Sequence, residues 1–165
     1  MNIIVEIAQE FKGWNKCSEL KPDYFAEVVE RILSRYPNFS MAQEVELSIL
    51  LTDDRKIKSL NNEFRGKDKA TNVLSFPDTE IDWRRIVEFE VSSEYMYLGD
   101  IAFSYQFIKE EALLKSIDFQ DYFKHLLIHA ILHLIGYNHE NDEEAQIMET
   151  IEIEILDSFG IESPY

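Results

Sequence analysis

The segment from Phe119 to Ile135 constrains this chain more than any other. Its second half, Leu126 to Ile135, is apolar except for His129 and His133. A helix made from it has almost no side fit for water and needs cover on nearly every flank. Gly136 follows at once and supplies a left-handed stop. The apolar run is about half of what crosses a bilayer, and histidines break it, so it reads as the central helix of a core rather than a membrane span. With 165 residues, 45% of them hydrophobic, the chain can bury such a helix in one domain and is too short for two comfortable ones. Wholesale disorder and low-complexity sequence are excluded by the same composition.

The elements around that helix follow from periodicity. Asn2 to Ala8 is rich in β-branched residues and reads as a first strand. A helix opens at Pro22 or Asp23, with Phe25, Val28, Val29, Ile32 and Leu33 as its apolar stripe, and runs to about Arg35 before Pro37. Glu44 to Leu51 alternates and then turns fully apolar, as a strand entering a covered sheet does. Thr52 is the expected N-cap of the next helix, which turns Ile57, Leu60 and Phe64 inward and ends at Gly66. Thr71 to Phe76 and Asp100 to Ser104 are short strands, separated by a long excursion over 78–97. A helix follows to about Ser116. After the central helix, Asn141 and Glu144 form the pattern of a capping box for a last helix to about Phe159. In that helix Ala145, Met148, Ile151 and Ile155 are expected inward, and Glu149, Glu152 and Glu154 in water. The expected fold is therefore α/β (α+β), one domain over 1–165, with about four strands in a mostly parallel mixed sheet packed with helices.

All four histidines fall between positions 125 and 139. His129 and His133 are four apart, so on a helix their rings stand one turn above each other and can converge on one ion. Gly136 lets the chain leave the helix and return His139 to the same point. Three neutral nitrogen donors with an open fourth position describe a metal site that also takes water or substrate. His125 lies one turn too early, about 12 Å along the axis from His133, to join them; it is expected behind the site or in a structural role. The spacing matches that of metzincin zinc proteases, in which a glutamate beside the first histidine is the general base. Here that position is Ala130. A methyl group accepts no proton, so the metal-site pattern stands while peptide hydrolysis does not.

The stretch His129-Ala-Ile-Leu-His133-Leu-Ile-Gly136-Tyr137-Asn138-His139 resembles the signature of the YbeY endoribonucleases. Leu60 to Pro77, with Arg65, Thr71, Ser75 and Phe76, is similar to a second block of that family, and Leu98-Gly99-Asp100-Ile101 to a third. The blocks come in the family's order and span about Glu44 to Phe159. The resemblance implies a metzincin-like core, one Zn2+ on His129, His133 and His139, and metal-dependent cleavage of single-stranded RNA. It further implies maturation of ribosomal RNA at the 3′ end of the small-subunit 16S RNA, and ribosome quality control. Arg65 matches the arginine that faces the family's metal cleft. Ala130, Asn138 and Asn72 depart from the usual Gly, Asp and Asp; the two asparagines remove charges near the cleft.

Charge sharpens the expectation. The formal net charge is −16, which argues against broad attraction to polyanions. Yet Arg55, Lys56, Lys58, Arg65, Lys67 and Lys69 lie within one short block. On spacing alone Arg65 is a helix-end cation and the lysines a solvated face; as a group they also make a patch for a phosphate backbone. Arg65 is the expected catalytic cation, holding the scissile phosphate, with Lys67, Lys69, Ser75 and Phe76 as further substrate contacts. Phe76 has two readings, stacking on a base or burial in the core. Asp100 has two as well, hydrogen-bonding a ligand histidine from behind or capping the helix after its strand. Zinc-activated water serves at neutral pH without a carboxylate base, so the missing glutamate is tolerable; whether that water or the RNA 2′-hydroxyl attacks stays open.

Two rival functions remain at this level. One is a zinc-containing ribosome-assembly or RNA-binding factor without hydrolysis, against which an open three-histidine site argues. The other is a metal hydrolase of another anionic substrate. Nickel, cobalt or copper fits the same donors as zinc. The lone Cys17 forms no intrachain disulfide and suits a reducing compartment, and Met1 to Glu10 lack the basic start of a secretory signal. The expected location is the cytoplasm, and the expected partners are single-stranded ribosomal RNA and the small subunit or its proteins, with no membrane.

Overall fold

A computed structural model describes residues 1–165. The strands are β1 (Asn2–Gln9), β2 (Glu44–Thr52), β3 (Val73–Pro77) and β4 (Tyr95–Ser104). The helices are α1 (Pro22–Leu33), α2 (Asp54–Arg65), α3 (Tyr105–Lys115), α4 (Phe119–Leu134) and α5 (Asp142–Ser158). The strand order is β1-β2-β4-β3. β1, β2 and β4 run parallel, and β3 returns antiparallel at the edge beside β4. The architecture is the expected α/β layer structure with a four-stranded mixed sheet.

Alternation assigns the faces of the sheet. Val45, Leu47, Ile49 and Leu51 of β2 point into one core with α1 and α4, where Phe25, Ile32, Phe103, Phe123, Leu127 and Ile131 are essentially inaccessible. The other face is only partly covered, by α2, through a small cluster of Ile57, Leu74 and Ala102. The central helix α4 is thus enclosed as its composition demands. Asp118 caps its start by accepting from the N–H groups of Gln120 and Asp121. No helix is long and apolar enough to cross a membrane.

Several local expectations are corrected. Thr52 is the last residue of β2 and buried, and the cap of α2 is Asp53, whose Oδ1 accepts from the Lys56 N–H at 2.9 Å. The strand runs one residue further than its apolar pattern shows, which hands the cap to the next oxygen. Phe64 is 61% exposed rather than inward; it rests edge-on against Phe76 with centroids 5.4 Å apart and borders the open cavity that α2 leaves over this face of the sheet. The excursion is shorter than expected, since β4 begins at Tyr95, and it holds a 3-10 turn over Trp83–Glu88. Asn141 does cap α5, accepting from the Glu144 N–H at 2.9 Å, but the Glu144 carboxylate turns to the Glu140 N–H and Arg84 instead of closing the box. Glu152, expected in water, is 1% exposed. It shares a face of α5 with Met148, Ile155 and Leu156, and that face packs against α4.

Candidate metal centre

The candidate site lies where α4 passes the edge strand β3. His129 and His133 project from the last two turns of α4, and the turn after Gly136 returns His139. One ligating nitrogen from each of the three rings lies within 4.8 Å of the others. Gly136 has φ +105, and a Cβ there would stand 2.0 Å from the Ile81 carbonyl oxygen. The excursion is therefore packed directly on the turn that carries the third ring. Trp83 stacks on Tyr137 with centroids 5.6 Å apart, Tyr137 pairs with the Tyr36 hydroxyl at 2.7 Å, and Arg84 pairs with Glu144 at 3.0 Å.

The free nitrogens can be assigned from their neighbours. His133 Nδ1 is 2.8 Å from the Tyr137 carbonyl oxygen, which only accepts, so this nitrogen carries the proton. His129 Nδ1 is 2.5 Å from Glu152 Oε1, and against an ionised carboxylate it too is the donor. Both Nε2 atoms are left as lone pairs, 3.0 Å apart. Two lone pairs so placed repel each other unless a cation lies between them, so the donor set fits a divalent metal. Burial, then the neighbouring His129, pushes His133 down to about 4, which keeps its ring neutral and ready to ligate. Three imidazoles of this kind suit zinc and its neighbours in the first transition row.

Behind the ligands lies a network that periodicity did not reveal. Glu152 Oε2 accepts from the Tyr165 hydroxyl at 2.6 Å and lies 3.3 Å from His125 Nε2. Burial alone would raise the Glu152 pKa; the hydrogen bonds from His125, His129 and Tyr165 outweigh it and hold the carboxyl down at about 2. The signal available in the sequence was position: Glu152 is four residues from Met148 and three from Ile155, on a stripe that is otherwise apolar.

The cleft in front of the histidines has a volume of about 630 Å³ and is lined by few apolar residues. Arg65, at the end of α2, reaches it and donates to the Ser75 carbonyl oxygen at 3.1 Å. Lys67, Ser75, Asn72 and Asn138 also line it. Asn72 is tied down on the far side, donating to Glu111 Oε1 at 2.8 Å. Lys69, by contrast, is exposed outside the lining. Phe76 and Asp100 are not brought to the cleft at all. They are opposite one another in the β3–β4 register, one residue out of phase with Ser75, and line a separate, mostly apolar cavity of about 590 Å³ on the other face of the sheet. With a side-chain period of two, Ser75 and Phe76 cannot both face the metal. Asp100 accepts from the Tyr97 hydroxyl at 2.8 Å, so the carboxylate behind a ligand histidine is Glu152. His125 is buried beside that carboxylate and out of reach of the cleft.

Comparison with known proteins agrees with this geometry. Residues 11–160 match the family model described as Endoribonuclease YbeY. A protein of Bradyrhizobium diazoefficiens named Endoribonuclease YbeY is 38% identical over 150 residues, covering 90% of this chain and 80% of the relative. Among solved structures, the solution structure of a Thermotoga maritima protein aligns with a TM-score of 0.56 and 25% identity, covering 95% of this chain and 92% of that one. The family match spans residues 11–160, nearly the whole α/β domain. The chain belongs to the YbeY endoribonuclease family.

Proposed function

We propose that the chain is a zinc-dependent endoribonuclease that cuts single-stranded RNA, with ribosomal RNA as its target. His129, His133 and His139 would hold one Zn2+, with the fourth position open toward the cleft. Bound there, zinc acts as a Lewis acid toward phosphate and activates water near neutral pH. The chain's own contribution is positional and electrostatic. Arg65 is oriented by the Ser75 carbonyl, so its remaining N–H groups face the cleft and can grip a phosphate. Lys67 adds a second cation at the mouth of the cleft. The far side of the lining offers Asn72 and Asn138, uncharged groups that do not repel a polyanion.

The observation that carries this reading is the convergence of three imidazole nitrogens and one arginine on the same polar cleft. The cytoplasm, and the small ribosomal subunit or its proteins as docking partners, complete the proposal; a protein partner would bring an enzyme of charge −16 to its RNA. The decisive experiment compares cleavage of single-stranded and duplex RNA by purified wild type and His133→Ala. Cleavage of single strands by wild type alone supports the reading. Equal cleavage by both proteins points to a contaminating nuclease. No cleavage by either, with metal bound in the wild type, replaces the enzyme with a metal-containing binding factor.

A further inference from the structure

We infer that Glu152 is the positioning residue of the metal centre: it fixes His129 in the tautomer that aims Nε2 at the ion, and Tyr165 and His125 hold its carboxylate in place. This rests on the metal-centre reading above. The three ligand rings are not supported alike. His133 is held by a carbonyl four residues along its own chain. His139 is exposed. Only His129 is held by a charged group, at 2.5 Å, from a different helix.

The carboxylate itself has no freedom to turn. Oε1 is taken by His129, and Oε2 by Tyr165 at 2.6 Å and His125 at 3.3 Å. All three partners are set to donate, so Glu152 serves purely as an acceptor. His125 Nδ1 is buried without a partner, as expected if the proton of that ring is on Nε2 and points at the carboxylate. Tyr165 arrives from the tail that follows α5 and the two histidines from α4, so two separate pieces of chain converge on one side chain. Glu152 is also 1% exposed with no Lys or Arg beside it. An unpaired buried carboxylate is costly; a divalent cation on the far side of the His129 ring supplies the opposite charge. A glutamate that served packing alone would gain nothing from this arrangement, and an apolar residue would fill the place better. Carboxylates in this position raise the basicity of the ligand and fix its ring.

The test is the zinc affinity of E152Q against wild type, by competition with a chromophoric chelator. Glutamine keeps the size, but whichever way its amide turns, the NH2 faces a donor, His129 on one side or Tyr165 and His125 on the other. The variant therefore removes the charge and the all-acceptor carboxylate that holds the His129 ring. Zinc affinity is expected to fall about 10- to 100-fold with the far-UV circular dichroism unchanged. Unchanged affinity in a folded E152Q overturns the positioning role and leaves the metal centre standing. A wild type that binds no zinc overturns the metal centre, and the role with it. Should E152Q fail to fold, NMR of zinc-loaded wild type decides. A slowly exchanging proton on His129 Nδ1 supports the inference, and a missing or rapidly exchanging one overturns it.

Discussion

The Nε2 atoms of His129 and His133 stand 3.0 Å apart with their lone pairs facing each other. Nothing in the surrounding chain relieves that repulsion, because each ring's other nitrogen is already engaged, by Glu152 or by the Tyr137 carbonyl. The protein therefore stores in its fold a demand for a cation.

Metal removal should for that reason cost stability as well as activity. Zinc at 100 times its dissociation constant adds about 2.7 kcal/mol to the folded state, or about 5 to 10 °C in Tm for a domain of this size. Differential scanning fluorimetry with and without a chelator measures the difference. His133→Ala should show no response to zinc; a response equal to that of wild type would remove the ring from the ligand set.

Arg65 is exposed and its side chain bonds only to the Ser75 carbonyl, so its replacement should leave the fold intact. Arg65→Ala is expected to slow RNA cleavage by about 10²- to 10³-fold, the usual loss on removing one donor to a charged transition state. Zinc content should be unchanged. If metal is lost together with activity, the residue belongs to the structure of the site and not to substrate binding.

Gly136→Ala should be among the most damaging single changes in the chain. Its Cβ would lie 2.0 Å from a backbone carbonyl oxygen at a φ of +105, so both the turn to His139 and the excursion would have to move. A loss of about 3 kcal/mol or more is expected, read from the denaturant midpoint, with zinc affinity falling as well. Gly66→Ala is the control. Its φ is +66 but nothing lies within 4 Å of the added carbon, and the cost should stay at about 1 to 2 kcal/mol.

Cys17 offers a pH test that is independent of the metal. Burial, and then the nearby Glu19 charge, push its thiol up to about 11 from 9.0. At pH 8 the thiolate should therefore be about 100-fold scarcer in the folded protein than in the unfolded chain. Alkylation should be slower by at least that factor until denaturant is added. The folded state holds this proton more tightly than the unfolded state. Its contribution to stability is complete below pH 9 and is lost as the pH rises toward 11. Buried Tyr24, Tyr36 and Tyr122 are raised for the same first reason and add to the decline. Tm measured from pH 8 to pH 11 should fall steadily.

What the sequence determined by itself was whatever depends on spacing along one element. The helix over Phe119–Leu134, its stop at Gly136 and the convergence of His129, His133 and His139 all follow from 3.6 residues per turn and one permissive backbone position. The strand–helix alternation likewise announced the mixed sheet, although it missed the first half of β4, where tyrosines on the open face hide the apolar alternation. Other features were settled only when distant segments met. Glu152 is 23 residues from His129, and an acid on an acidic helix looks solvated until α5 is laid against α4. Ser75 and Phe76 were adjacent candidates until the register with β4 sent them to opposite faces. Ile81 had no visible role before its carbonyl came to rest on Gly136. In each case the deciding energy comes from contacts between elements, and local periodicity carries no record of which neighbour an element will find.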